Sequence, residues 1–123
     1  MSNKMLTLDQ VLKHDDRPTK AVPVPEWSED PDNPQEILLA PMSSGAWDAI
    51  QAKFIEGKQA GLNMLNANLL ANCWVDEKGK RVVAPGKVPQ LAEKSAPVMN
   101  RLGEICQQLN GLKKKDVEEL VGE

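Results

Sequence analysis

The fold is decided by the stretch Leu62-Asn63-Met64-Leu65-Asn66-Ala67-Asn68-Leu69-Leu70-Ala71-Asn72-Cys73-Trp74-Val75. Its apolar residues recur at helical spacing, with Leu62, Leu65, Leu69 and Cys73 on one stripe. Four Asn lie between them and lower the intrinsic helix propensity. We therefore expect a helix that depends on packing, although the Asn-rich face could instead be a hydrogen-bonding contact surface. The most apolar run, 69–75, is far shorter than the roughly 20 residues that span a bilayer, so we expect no membrane partner.

Further short helices are predicted on both sides of this stretch. A capping box at Thr7-Leu8-Asp9-Gln10 opens a helix that ends near His14, and its apolar face is Leu8, Val11 and Leu12. Ser43 or Ser44 caps a helix over 44–57. Ser95 caps a longer helix that accepts Pro97 in its first turn and closes at Asn110-Gly111. The remaining predicted helices are 88–94 and 113–121.

Residues 20–41 have a different pattern. In Val22-Pro23-Val24-Pro25, alternating prolines exclude a helix and a central strand and leave an extended edge segment. The acidic, proline-rich stretch 28–34 predicts a loop, after which Ile37–Ala40 returns as a partner strand. We therefore expect a mainly α fold, a small single domain (1–123) of four to six short helices. Its parts are an N-terminal helix (1–19), an extended or hairpin element (20–41) and a helical body (42–123).

Composition excludes several classes of function. The 123 residues include one His and two Cys, so a multi-histidine metal site, a Cys-only zinc site and a disulfide framework are excluded. The net charge of −3 disfavours nucleic acid as a partner. No nucleophile motif accompanies His14, and no glycine-rich phosphate loop occurs. We therefore expect a protein that is not an enzyme and has no metal or cofactor.

Charge is spread unevenly along the chain. Residues 1–36 have a net charge of −4, whereas residues 77–123 have a net charge of +2. This asymmetry favours head-to-tail self-association, although ordinary solvated surface would have the same composition. The first residues lack the apolar core of a secretory signal, so a cytoplasmic location is expected.

The tryptophans and cysteines are the remaining notable residues. Trp47 and Trp74 lie at helical spacing and are expected in the core, as are the two cysteines, Cys73 and Cys106. Trp27 follows Pro25 and Glu26 outside any predicted helix. These three residues, Pro25, Glu26 and Trp27, are therefore the candidate partner-binding site.

Four segments in order resemble a known family. They are Val22-Pro23-Val24-Pro25-Glu26-Trp27, then Leu69–Arg81 with its ending Val75-Asp76-Glu77-Lys78-Gly79-Lys80-Arg81, then Leu91-Ala92-Glu93-Lys94-Ser95 followed by Leu102, and finally Leu109-Asn110-Gly111-Leu112 with Val117-Glu118-Glu119-Leu120. Together they resemble the small tail assembly chaperones of long-tailed, non-contractile phages and prophages, the lambda-like kind. The matching order covers residues 5–121.

This resemblance implies a non-enzymatic chaperone in the cytoplasm of a bacterial host. Such proteins bind the tape measure protein, help to recruit tail tube protein and are absent from the finished virion. They self-associate into spiral or ring-like oligomers, and many are also made in a longer, frameshifted form. The alternatives are a structural head–tail connector or tail-completion protein and a small host protein-binding regulator.

The sequence departs from the family pattern at three places. Ser28 follows Trp27 where the family usually has Gly, and the segment Ile37–Pro41 lacks the family's aromatic residue and Arg. Val82 and Val83 stand where a Phe is common. All of these departures lie in the extended segments, so the predicted helical plan is unaffected.

Overall fold

Helices make up most of the computed structural model, which describes residues 5–122. Within that range the chain forms six α-helices and one three-stranded antiparallel sheet. The helices are α1 (Leu8–Lys13), α2 (Ser44–Ile55), α3 (Leu62–Cys73), α4 (Val88–Leu91), α5 (Ala96–Leu109) and α6 (Lys114–Val121). The strands are β1 (Lys20–Pro23), β2 (Glu36–Leu39) and β3 (Trp74–Val75). The predicted fold, a small mainly α domain with an N-terminal hairpin, is confirmed.

Helix α3 lies at the centre of the molecule. Every residue from Leu65 to Ala71 is buried, and so is Cys73. A helix that is buried on nearly all sides needs neighbours around its circumference, and α3 packs against α2, α4 and α5. Its interface with α5 is the most extensive between two helices, and it buries Met99 and Leu102. Because each fully buried Leu contributes about 1.5–3 kcal/mol, packing holds this Asn-rich segment in a helix.

The asparagines of α3 use their amides inside the fold. Each side-chain Nδ2 donates a hydrogen bond within the chain: Asn63 to the Ala92 carbonyl (3.1 Å), Asn66 to Asn100 Oδ1 (3.2 Å), Asn68 to Gln59 Oε1 (2.7 Å) and Asn72 to the Asn68 carbonyl (2.8 Å). Asn66 and Asn68 are buried, so they form no part of an exposed contact face.

Strands β1 and β2 form the predicted hairpin, with Val22 opposite Ile37. Val22 and Val24 are both buried, as their alternation along an extended segment predicts. The Val24 N–H donates to the Gln35 carbonyl at 2.9 Å and continues the pairing beyond β1. The hairpin is thereby tied to the helical body through its buried valines.

The third strand is a difference from the sequence prediction, which placed Trp74 on the helical stripe. Helix α3 ends at Cys73, and Trp74 is extended and pairs with Leu39 of β2. The Trp74 carbonyl accepts a 3.1 Å hydrogen bond from the Val82 N–H, and Val75 forms a bridge to Arg81. Pairing with residues distant in sequence therefore ends the helix. Trp74 itself is half-buried against the core.

Helix α5 begins and ends near the predicted residues. Ser95 occupies the position before its first turn, but its side chain makes no capping hydrogen bond. One of the two N–H groups that it would cap belongs to Pro97, which has none. At the other end Asn110 is the last half-helical residue, and Gly111 has φ +66°, a conformation that favours glycine. The predicted C-terminal signal is confirmed.

Candidate interaction surfaces

The three candidate partner-binding residues form one surface turn. Pro25, Glu26 and Trp27 make a 3-10 turn directly after the hairpin strand β1, with Pro25 at its first position. The Ser28 hydroxyl donates to the Val24 carbonyl at 2.7 Å and accepts from the Gln35 N–H at 2.8 Å. Ser28, a departure from the family pattern, therefore closes the base of the acidic loop and holds the turn in place.

Glu26 is ion-paired with Arg101 of α5. The distance from Glu26 Oε1 to Arg101 Nη2 is 2.6 Å, and Arg101 Nη1 lies 3.4 Å from the Pro23 carbonyl. The pKa of Glu26 is held below its usual range by a hydrogen bond from its own backbone N–H and by the Arg101 guanidinium, against a weaker opposing effect of burial. Both side chains are about two-fifths exposed, so the pair contributes little stability and mainly orients the turn.

Trp27 is half-buried and packs against the hydrophobic core, while Pro25 is half-buried and Glu26 is exposed. The structure therefore brings the predicted residues together with a fourth, Arg101. Sequence reasoning missed Arg101 because it lies 75 residues from Glu26 and belongs to no local motif. The turn presents an acidic and a basic side chain beside part of an aromatic ring.

A second surface is the N-terminal arm, which we define as Leu6–Asp16. Its helix α1 has the predicted capping box, in which Thr7 Oγ1 accepts the Gln10 N–H and Gln10 Oε1 accepts the Thr7 N–H. The apolar face of α1, however, does not reach the core: Leu8, Val11 and Leu12 are exposed. The arm is attached to the body where Arg17 Nε donates to the Pro41 carbonyl at 2.7 Å.

A third surface is a groove of about 630 Å³ between α3, α5 and α6, called here the groove. Its apolar lining is Leu62, Leu112, Val117 and Val121, and its polar lining includes Lys114, Glu104, Glu118 and several amides. Leu62 is 42% exposed. An apolar cleft between helices suits the apolar face of another helix.

Catalytic and metal-binding chemistry find no support in residues 5–122. His14 lies exposed just after α1. Within the same range, no three His, Cys, Asp or Glu side chains are grouped so that they could hold a metal ion. None of the helices described there has the length and apolar character needed to cross a membrane.

Cys73 of α3 and Cys106 of α5 meet in the core as free thiols. Asn110 Nδ2 lies 3.2 Å from Cys73 Sγ and also donates to the Cys106 carbonyl at 2.7 Å. Contact with Cys73, together with burial, raises the pKa of the Cys106 thiol. Thiols need to be accessible thiolates to react, so the expected role of the pair as small core residues is confirmed.

Comparison with known proteins identifies a similar fold. The chain matches no protein-family model and no curated protein sequence. Among solved structures it is similar to the tail assembly chaperone of bacteriophage HK97, with a TM-score of 0.57 and 22% sequence identity. The similarity covers 87% of this chain and 93% of that chain. At this identity the likeness is one of fold, and it extends over nearly the whole of both proteins. The chain therefore has the fold of a phage tail assembly chaperone.

Proposed function

We propose that the protein is a non-enzymatic tail assembly chaperone of a long-tailed phage or prophage, active in the cytoplasm of the bacterial host. The observation that supports this most strongly is the fold similarity to the HK97 tail assembly chaperone over 87% of the chain. It is joined by the four sequence segments that resemble the same family in the same order. In this role the protein binds the tape measure protein, helps to recruit tail tube protein, self-associates and is absent from the finished virion.

The turn Pro25–Trp27 is the proposed contact with a phage tail protein. Its residues are held on the surface by the Glu26–Arg101 ion pair and by the partial burial of Trp27. An aromatic ring that is fixed on one side and accessible on the other is a typical anchor in protein interfaces. The exposed carboxylate of Glu26 adds polar specificity beside it.

The proposal is tested by co-expression with the tape measure protein encoded nearby. The chaperone is expected to keep that protein in the soluble fraction and to co-purify with it. Failure to bind or solubilise it would contradict the proposal. Mass spectrometry of finished particles provides a second test, because a chaperone is absent from them, whereas a head–tail connector or tail-completion protein is present.

The role of the turn is tested with Trp27→Ala in the same assay. Trp47→Ala is the matched control, because Trp47 of α2 is also half-buried against the core but lies outside the turn. We expect Trp27→Ala to lower tape measure solubilisation while the helical circular dichroism is kept. If both variants lower it equally, the turn has no special part in binding. Glu26→Ala, at an exposed position, tests the turn without removing any buried surface.

A further inference from the structure

The arm carries an apolar stripe that its own chain does not bury. Leu8 and Leu12 are each 72% exposed and Val11 is 51% exposed, and Leu6 just before the helix is 79% exposed. Leu8, Val11 and Leu12 lie on one face because they are spaced by three and four residues. A helix of six residues is marginal by itself in water, so a partner that covers this face would stabilise it.

The groove offers a surface of matching character. Its apolar lining comes from three helices, and its volume of about 630 Å³ lies within the roughly 300–1,000 Å³ that is typical of sites that enclose a ligand. One turn of an amphipathic helix with two or three Leu or Val side chains would occupy such a cleft. Leu62, at the start of α3, would be covered by this contact.

The charges of the two surfaces are complementary. The arm contains Asp9, Asp15 and Asp16 against a single Lys13, with Asp15 and Asp16 exposed directly after α1. The start of α6 carries three exposed lysines at 113–115, and Lys114 lines the groove. Opposite charges at the two ends of a contact attract the partners and fix their orientation.

We infer that the arm of one copy of this chain docks in the groove of a second copy. Arg17 holds the arm at Pro41, outside the groove of its own chain, whose Leu62 stays partly exposed. Since arm and groove are different surfaces of the same molecule, each docked copy leaves one arm and one groove free. Such a head-to-tail contact propagates into open or ring-shaped assemblies. The inference rests on the self-association that forms part of the proposed function, and it names the surfaces involved.

Variants of each surface test the inference with the purified chain alone. Leu8→Ser/Leu12→Ser disables the arm, and Asp9→Ser/Lys13→Ser is its control on the polar face with the same net charge. Leu62→Asp disables the groove, and Ile55→Asp places the same charge at an exposed apolar residue outside it. Light scattering over a wide concentration range should show assemblies for the wild type and both controls. The disabled variants should need a roughly tenfold or higher concentration to associate, because each loses buried apolar area.

Mixing the two disabled variants gives the decisive result. The arm variant keeps its groove and the groove variant keeps its arm, so the mixture should form a one-to-one dimer and nothing larger. A wild-type protein that is monomeric at all concentrations overturns the inference, and so does a mixture that stays monomeric or a groove variant that assembles normally. Because no phage protein is present, failure here leaves the tape measure assay unaffected, and failure of that assay leaves this result intact.

Discussion

The side-chain amide of Asn66 in α3 fills the space beside Gly103 in α5 where any other residue would place its Cβ atom. A Cβ atom at Gly103 would overlap both Oδ1 and Cγ of Asn66. Among the described residues Asn66 Oδ1 accepts no hydrogen bond, whereas Nδ2 donates to Asn100. The absence of a side chain at Gly103 therefore lets the two central helices approach closely at this point.

We predict that Gly103→Ala destabilises the protein. Overpacking of a close interface costs about 1–3 kcal/mol, which outweighs the gain of roughly 1 kcal/mol in helix propensity when Ala replaces Gly. Urea denaturation would show a lower midpoint than that of the wild type. The double variant Asn66→Ala/Gly103→Ala should recover part of the loss, because the overlapping amide is gone.

Gly45→Ala is the matched control for this substitution. Gly45 lies in the first turn of α2, and a Cβ atom there would have no neighbour within 4 Å. The same change should therefore stabilise the protein by up to about 1 kcal/mol. Equal stability of the two single variants would show that Asn66 does not restrict position 103.

The ion pair between the turn and α5 predicts a shifted titration. A carboxyl whose pKa is lowered by folding stabilises the fold above its ordinary pKa, and that contribution is lost as the pH falls through the lowered value. Carbon-13 NMR should therefore find that Glu26 titrates below the usual range. Arg101→Met should raise the pKa of Glu26 only part of the way, because the hydrogen bond from its own backbone N–H remains.

Lys114→Met serves as the control for this titration, since Lys114 pairs with Glu118 on α6 and does not contact the turn. The pKa of Glu26 should not respond to it. A normal pKa of Glu26 in the wild type would contradict the ion pair, and with it the fixed orientation of the turn that the proposed binding site requires.

Both thiols should be unreactive in the native protein. Cys73 and Cys106 are fully buried and contact each other, so a reagent reaches them only after local or global opening. We expect Ellman's reagent to modify them roughly a hundredfold or more slowly than in the urea-unfolded chain. Rapid modification of one thiol under native conditions would show that the interface of α3 and α5 is open at that end.

Local signals in the sequence predict most of the elements. Ser43 caps α2 with a 3.1 Å hydrogen bond from the Ala46 N–H, and the capping box at Thr7 opens α1, both as expected. The alternation of Val22 and Val24 correctly predicts the buried side of the hairpin. These features succeed because caps, turns and periodicity act over a few neighbouring residues.

The features that the sequence does not reveal depend on distant contacts. Trp74 continues the helical periodicity of α3, yet pairing with Leu39 draws it into the sheet. The ion pair of Glu26 with Arg101 likewise joins residues that share no motif. For α1 the periodicity identifies an apolar face correctly but cannot show whether the chain's own core covers it. Periodicity reports which side chains share a face and not what lies opposite.

Stability measurements should separate the arm from the core. In dilute solution, where association is minimal, Leu8→Ser/Leu12→Ser should change the free energy of unfolding by less than about 0.5 kcal/mol, because both side chains are exposed. Leu69→Ala is the contrasting variant, since Leu69 is fully buried in α3, and it should cost about 2–5 kcal/mol. A large loss from the arm variant would mean that α1 packs on its own body, in which case its apolar face would be unavailable to a second copy.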